Sequence, residues 1–428
     1  MTFEQLKLGD VAEIVGGGTP STKNPEFWDG DIPWITPKDL SGFEGVYISR
    51  GERSITELGL DRSSAKMLPA QSVLYTSRAP IGYVAIAERE VATNQGFKSL
   101  VPKQGFSSEY LFYLMKASRE VVLSHSSGGT FAEISASAMR EVALPFPSLS
   151  QQQSIAAMLL GLDHKIQVNR ATAVTLESIA QTLFRSWFVD FDPVRAKMAG
   201  EKPVGMDDAT AGLFPDSMEE SELGDIPAGW SVSEMKDVCD RVANGSTPLR
   251  SNEIYWTAGD IPWFKTGELS DGFLMESTEK ITAEAVEKTS VKFLPRGSVL
   301  VAIYASPTVG RLGILTRDST FNQACTGLQP ASTYGTGFLF LSLQAKREYF
   351  NALAIGAAQQ NISKQVVEKA PVVVAPPDVH KRFQELVNPL FDQIGSLAVQ
   401  SVQLAQIRDS LLPRLISGEL QVPEDLVA

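Results

Sequence analysis

Gly30, Asp31, Ile32, Pro33 and Trp34 return later in the chain as Gly259, Asp260, Ile261, Pro262 and Trp263. Thr19-Pro20 returns as Thr247-Pro248, Ser72-Val73-Leu74 as Ser298-Val299-Leu300, and Asn94-Gln95 as Asn322-Gln323. The spacing stays near 228 residues, as from Asn94 to Asn322. A unit repeated once in a chain of 428 residues implies two copies of one domain, each large enough to bury its own core. The molecule they make is pseudo-two-fold, and such a molecule suits a ligand with two ends or with a two-fold axis of its own.

Each copy reads in the same order. About 145 residues of short strand-like runs come first, among them residues 72–75, 82–87 and 298–304, separated by Gly, Pro, Ser and Thr. This pattern predicts an α+β domain. A helical stretch follows. In the first copy the apolar seam runs through Leu162, Ile166, Asn169, Ala173, Leu176, Ala180 and Leu183, alternating steps of four and three. In the second copy the equivalent positions include Leu390, Ile394, Leu397, Leu404 and Leu411, with Ser401 and Arg408 as polar members. Heptads in equivalent places predict that the two helices pair with each other. Gly161 and Asn388-Pro389 predict in each a short helix, a break or kink, and then a long helix, the long helices running over about 162–189 and 390–417. Residues 190–234 hold eleven acidic and three basic side chains. They predict an ordered acidic crossing on the surface, anchored at Leu213-Phe214-Pro215 and Ile226-Pro227.

The chemistry of a catalytic centre is not visible. His125, His164 and His380 have no ligand spacing, and no phosphate-binding loop is present. Gly16-Gly17-Gly18 becomes Asn244-Gly245-Ser246 in the second copy, which reads as a turn entering a strand. Cys239 and Cys325 lack counterparts in the first copy, and are expected to be buried thiols in a reducing cytoplasm. No apolar run reaches the roughly 18 residues of a membrane span. The net charge of −12 is concentrated in the connector, so it does not exclude basic patches on the copies.

What the copies share next to Gly and Pro is a set of small polar, amide and basic residues. In the first copy these are Thr19, Ser21, Lys23, Thr36, Lys38, Ser77, Arg78, Asn94, Gln95 and Thr130. In the second they are Thr247, Arg250, Lys265, Thr266, Tyr304, Ser306, Asn322, Gln323, Gln359, Gln360, Asn361 and Lys364. Amides pair bidentately with adenine and Arg or Lys with guanine, while hydroxyls and Lys hold phosphates. Taken one by one, such residues also serve to pin loops. As a set they point to DNA.

With these motifs in view, the chain resembles the DNA-specificity subunits of type I restriction–modification systems. The resemblance rests on residues 17–21, the two Gly-Asp-Ile-Pro-Trp segments, both Asn-Gln pairs, and Gln151-Gln152-Gln153 ahead of the first helix. It also rests on residues 183–188 and on the ending from Leu411 to Gly418. In the second copy the glutamines are replaced by His380-Lys381-Arg382. The resemblance implies an α+β fold with two target-recognition domains, residues 1–148 and 229–377. Two helical spacers, 149–190 and 378–418, would form an antiparallel coiled coil. An acidic connector, 191–228, and a tail, 419–428, complete the chain.

The resemblance further implies that each domain reads one half of a bipartite site in double-stranded DNA. The subunit itself would be non-catalytic and hold no cofactor. Two modification (methyltransferase) subunits would bind S-adenosylmethionine, and two restriction subunits would use ATP and Mg. A seam of about 27 residues at 1.5 Å rise gives roughly 40 Å, against about 34 Å for one turn of DNA. A coiled-coil adaptor that organises protein partners without reading DNA is the alternative the seam leaves open.

Overall fold

The computed structural model of the chain describes residues 3–78, 80–127, 132–304, 308–354 and 361–423. Thr130, Ser306, Gln359 and Gln360 lie outside the described residues. Two compact units result: residues 1–168 with 401–428, and residues 169–400.

In unit one, strands Ala12–Gly16, Lys98–Pro102, Val73–Tyr75, Val84–Ala87 and Tyr47–Ile48 follow one another across a five-stranded sheet. A four-stranded sheet takes the order Arg53–Ile55, Trp28–Ile35, Val91–Thr93, Met67–Leu68. Unit two repeats both. Its five strands are Cys239–Asn244, Cys325–Pro330, Val299–Ala302, Leu312–Leu315 and Gly272–Leu274. Its four are Glu279–Ile281, Ile261–Phe264, Ser319–Phe321 and Phe293–Leu294. In both four-stranded sheets the Gly-Asp-Ile-Pro-Trp strand pairs in parallel with the strand leading to Asn-Gln, Trp34 opposite Ala92 and Trp263 opposite Thr320. The Gly-Asp-Ile-Pro-Trp segments thus supply an interior strand of each four-stranded sheet. Their tryptophans are buried, and each indole N–H donates to a loop carbonyl at 3.0 Å, Trp34 to Gly18 and Trp263 to Ser246.

Two helices of 40 residues, Leu149–Phe188 and Pro377–Ile416, each supply residues to both units. In unit one, Ile155 and Leu159 of the first helix share a core with Leu412, Leu415 and Ile416 of the second. In unit two, Phe184, Trp187 and Phe188 of the first helix pack with Phe383, Val387 and Phe391 of the second. The start of each helix therefore meets the end of the other, and the pair is antiparallel.

The helices depart from the expected breaks. The short and long helix expected on either side of each break form one helix, and Gly161 and Pro389 sit inside them. A proline within a helix costs about 3 kcal/mol. Phe383, Val387 and Phe391 around it are each worth about 1.5–3 kcal/mol on burial, and all three are in the core. Pro389 itself is exposed, as is Gly161. The helices end at Phe188 and Ile416, and Gly418, at φ +77°, provides the left-handed residue that stops the second.

The connector is more than a surface crossing. It holds helices Asp192–Met198 and Asp208–Ala211 and a hairpin, Met218–Ser221 with Gly224–Pro227. Phe191, Val194, Phe214 and Ile226 are buried in the main core of unit two, and the Trp187 and Phe214 rings meet edge to face at 4.9 Å. These four apolar residues are inserted, while Met198, Val204 and Leu223 and the acidic residues stay outside.

The expected seam is only partly closed. Ile166, Asn169 and Leu397 are buried. Leu162, Ala173, Leu176, Leu183, Leu390, Ile394, Leu404 and Leu411 are half-buried. Asn169 donates to Gln400 at 3.5 Å, a partner other than the Ser401 or Arg408 that the heptads offer. Arg408 reaches Asp163 instead. Asp163, one residue after the expected seam position at Leu162, is 5% exposed, so the polar residue faces inward and the leucine is displaced toward the edge. The Tyr113 hydroxyl donates to the other oxygen of Asp163 at 2.5 Å. Burial, and then the Asp163 carboxylate, hold that hydroxyl far above the ordinary tyrosine range, so it remains a donor.

His380 occupies the place of Gln152 one repeat earlier. Gln152 is buried, accepts from the Ser107 N–H at 3.0 Å and donates to the Pro147 carbonyl at 3.0 Å. His380 is fully buried between the Phe188 and Phe338 rings and accepts from the Ala375 N–H at 3.2 Å. Burial pushes its pKa down to about 4, so it is neutral at pH 7.

Candidate nucleic-acid interface

At one end of each domain, four sequence-distant segments converge in the same way. In unit one, the Thr19 hydroxyl donates to the Gln95 side-chain oxygen. The Asn94 side-chain oxygen accepts the Gly96 N–H at 2.8 Å, closing the turn that presents Gln95. The Ser77 N–H and hydroxyl both donate to the Gly96 carbonyl, at 2.7 and 3.1 Å, and Ile134 N–H donates to the Ser77 carbonyl at 3.1 Å. Unit two repeats these links: Thr247 to Gln323, Ala324 N–H to Asn322 at 3.1 Å, Ile303 N–H to the Ala324 carbonyl at 2.9 Å, and Ile362 N–H to the Ile303 carbonyl at 2.9 Å.

The glycines of the first loop are explained by this convergence. A Cβ on Gly17 would collide with the carbonyl oxygens of Thr93 and Asn94. A Cβ on Gly245 would collide with those of Phe321 and Asn322. Only glycine lets the Thr-Pro loop lie against the Asn-Gln turn.

The candidate residues divide by what already holds them. Asn94 and Asn322 close turns, and Ser77 is fully buried, so these three serve the frame. The Thr36 hydroxyl donates to Asp39 at 2.6 Å and caps a short helix. Lys38 pairs with Glu52 at 2.7 Å, Lys364 with Glu368 at 2.8 Å, and Arg78 with Glu133 at 3.6 Å. Arg250 lies over the Trp256 and Trp263 rings and shares Glu279 with Lys265. Hydrogen bonds from those two cations hold the Glu279 carboxyl down to about 2. Thr266 opens a short 3-10 helix, and Asn361 is half-buried beside Ile362. Thr19, Ser21, Lys23, Gln95, Thr247, Tyr304 and Gln323 remain at the surface. Both glutamines accept from their threonine and keep an exposed amide group.

The two ends share their pins and differ in what they display. Ser21 and Lys23 of the first loop correspond to Leu249 and Ser251 of the second, and Arg78 corresponds to Tyr304. Leu249 is 66% exposed. Sequence reading passed over Leu249 because an apolar residue carries no polar signal. It also passed over Arg89 and Arg317, although they recur at the same spacing as the motifs.

The same frame is built twice, with polar loops pinned at the same end of each copy. The family model of the type I restriction modification DNA specificity domain matches residues 1–178 and 227–395, and the chain belongs to that family. It is 35% identical over 426 residues to the type I restriction enzyme MjaIX specificity subunit of Methanocaldococcus jannaschii, covering 99% of this chain and 94% of that protein. It is 28% identical over 358 residues to the HindI specificity subunit of Haemophilus influenzae, covering 73% of this chain and 77% of that one. The crystal structure of a type I S subunit from M. genitalium shares the fold, with a TM-score of 0.57 at 13% identity over 97% of this chain and 96% of that chain. Among the described residues no helix is long and apolar enough to cross a membrane.

Proposed function

We propose that this chain is the DNA-reading, non-catalytic subunit of a type I restriction–modification complex in the cytoplasm. Each repeat reads one half of a bipartite site in double-stranded DNA. The long helices set the spacer between half-sites and dock two modification subunits, and two restriction subunits complete the assembly. S-adenosylmethionine, ATP and Mg belong to those partners and not to this chain.

The observation that supports this reading best is the pairing of identical pins with different displayed side chains. Thr19–Gln95 and Thr247–Gln323 hold the same loop geometry in both copies, while Ser21, Lys23 and Arg78 give way to Leu249, Ser251 and Tyr304. Bases are told apart by the donors, acceptors and apolar groups offered to the groove. One frame with two displays therefore suits two different half-sites. Exchange of residues 1–148 for the equivalent domain of a relative, followed by mapping of methylated adenines, tests it. One half of the methylated site is expected to change. Change in both halves, or in neither, refutes independent reading.

A further inference from the structure

Beside the four-stranded sheet of unit one, Arg50, Arg53 and Arg89 line a single cleft of about 230 Å³ with Ser49, Ser54 and Asp31. Arg53 belongs to the edge strand Arg53–Ile55, Arg50 to the turn before it, and Arg89 to the turn between Val84–Ala87 and Val91–Thr93. The Arg53 guanidinium lies 3.6 Å from the centre of the Trp28 ring, which orients its planar fork. None of the three guanidinium groups has an ion pair or hydrogen bond among the described residues.

This is unusual for the chain. Arg78, Arg250, Arg347, Arg382 and Arg408 all hold carboxylates. Among the described residues, Arg62, Arg296, Arg311 and Arg317 are the other arginines without a polar partner. Two of those four, Arg296 and Arg317, line a cleft of unit two that shares the equivalent positions Asp260, Pro262 and Arg317 with Asp31, Pro33 and Arg89. There, Asp260 and Asp318 balance the two arginines. In unit one, three arginines face the single Asp31.

Three guanidinium groups in one concavity repel one another, and a protein with 50 acidic residues has supplied only one carboxylate to relieve them. The arrangement suits an anion. Guanidinium forks match phosphate oxygens bidentately, and serine hydroxyls add donors of the right length. Resting on the DNA-reading function above, we propose that this cleft seats a backbone phosphate of the duplex bound by the first repeat. Such a contact fixes register without reading sequence. The neutral cleft of unit two contributes less.

The test uses the full chain, alone and assembled with its modification subunits, and a mixed-sequence duplex several turns long. Binding is measured between about 50 and 200 mM salt. Replacing Arg50, Arg53 and Arg89 together by Gln is expected to weaken binding at least about tenfold at low salt. It should also make the slope of log affinity against log salt shallower by about one. The triple Lys variant is expected to keep the slope. The Arg50→Gln/Arg89→Gln pair spares the Trp28 stack and carries the same expectation, so it decides the matter if the triple variant misfolds. Arg62→Gln/Arg311→Gln is the control outside the clefts. A folded cleft variant with the parental slope, or an equal loss in the control, overturns the phosphate site while leaving the DNA reading intact. A parental protein with no salt-dependent DNA binding in either form overturns the DNA reading itself.

Discussion

Arg408→Ala tests the polar contact between the two long helices. Arg408 and Asp163 have side chains only 14% and 6% exposed, and Asp163 has Tyr113 as its other partner, at 2.5 Å. Removing the guanidinium leaves a carboxylate in the core of unit one with a single neutral donor. Breaking a buried pair from one side costs about 3–5 kcal/mol. The contact of Arg408 with the exposed Asp409 adds little to that. Unit two supplies the control. At the positions equivalent to Tyr113, Asp163 and Arg408 it carries Leu341, Phe391 and Ala180, all buried in its main core. The small residue there faces the large one, so the combined size of the three is conserved roughly.

Transplanting that set, as Tyr113→Leu, Asp163→Phe and Arg408→Ala together, removes every charge at once and fills the space. The triple variant is expected within about 1 kcal/mol of the parent, or to exceed it, because well-packed apolar replacements of buried ion pairs are often neutral or stabilising. The assay is amide hydrogen exchange of residues 155–168 in the full chain, which reports opening of the helix that carries Asp163. A loss below about 1 kcal/mol for Arg408→Ala would show that Asp163 finds water or another donor. A triple variant less stable than Arg408→Ala alone would show that the apolar set does not transfer.

Two further predictions concern single residues of unit two. His380 is neutral when buried, with its pKa held near 4 against about 6.5 when unfolded. The unfolded chain therefore binds more protons between those values, and stability is full above pH 6.5 and lost as pH falls toward 4. The loss attributable to this group is about 3 kcal/mol. His380→Gln, which restores the residue of the first repeat, is expected to flatten the dependence of unfolding free energy on pH over that window; an unchanged dependence would assign it to other groups. Gly245→Ala pushes a Cβ into the carbonyls of Phe321 and Asn322 and should cost about 1–3 kcal/mol, with one half of the methylated site read poorly and the other unaffected. Equal loss of both halves would count against separate heads.

The sequence alone determined the repeat, the α+β character of each copy and the presence of a long helix after each. These follow from local periodicity and from spacing, which survive translation along the chain. The helix ends were also readable, because Asp192-Pro193 and Gly418 act on the backbone they belong to. The continuity of each helix was not, since Gly161 and Pro389 are breakers only where packing fails to outweigh them, and Ile155, Leu159, Phe383 and Val387 are buried beside them. Phe214 and Ile226 were legible as apolar anchors of the acidic connector, but tertiary structure alone decided which core they enter and that Phe191 enters it with them. It decided too that Asp163 faces inward where Leu162 was expected, because an inward charge is stable only if a partner 245 residues away reaches it. The candidate site divides in the same way. The Asn-Gln and Thr-Pro motifs were visible as repeats, but the hydrogen bond that joins Thr19 to Gln95 spans 76 residues. Which polar side chains are used up as pins, and which are left to meet a ligand, depends on contacts of that range, and local pattern does not contain them.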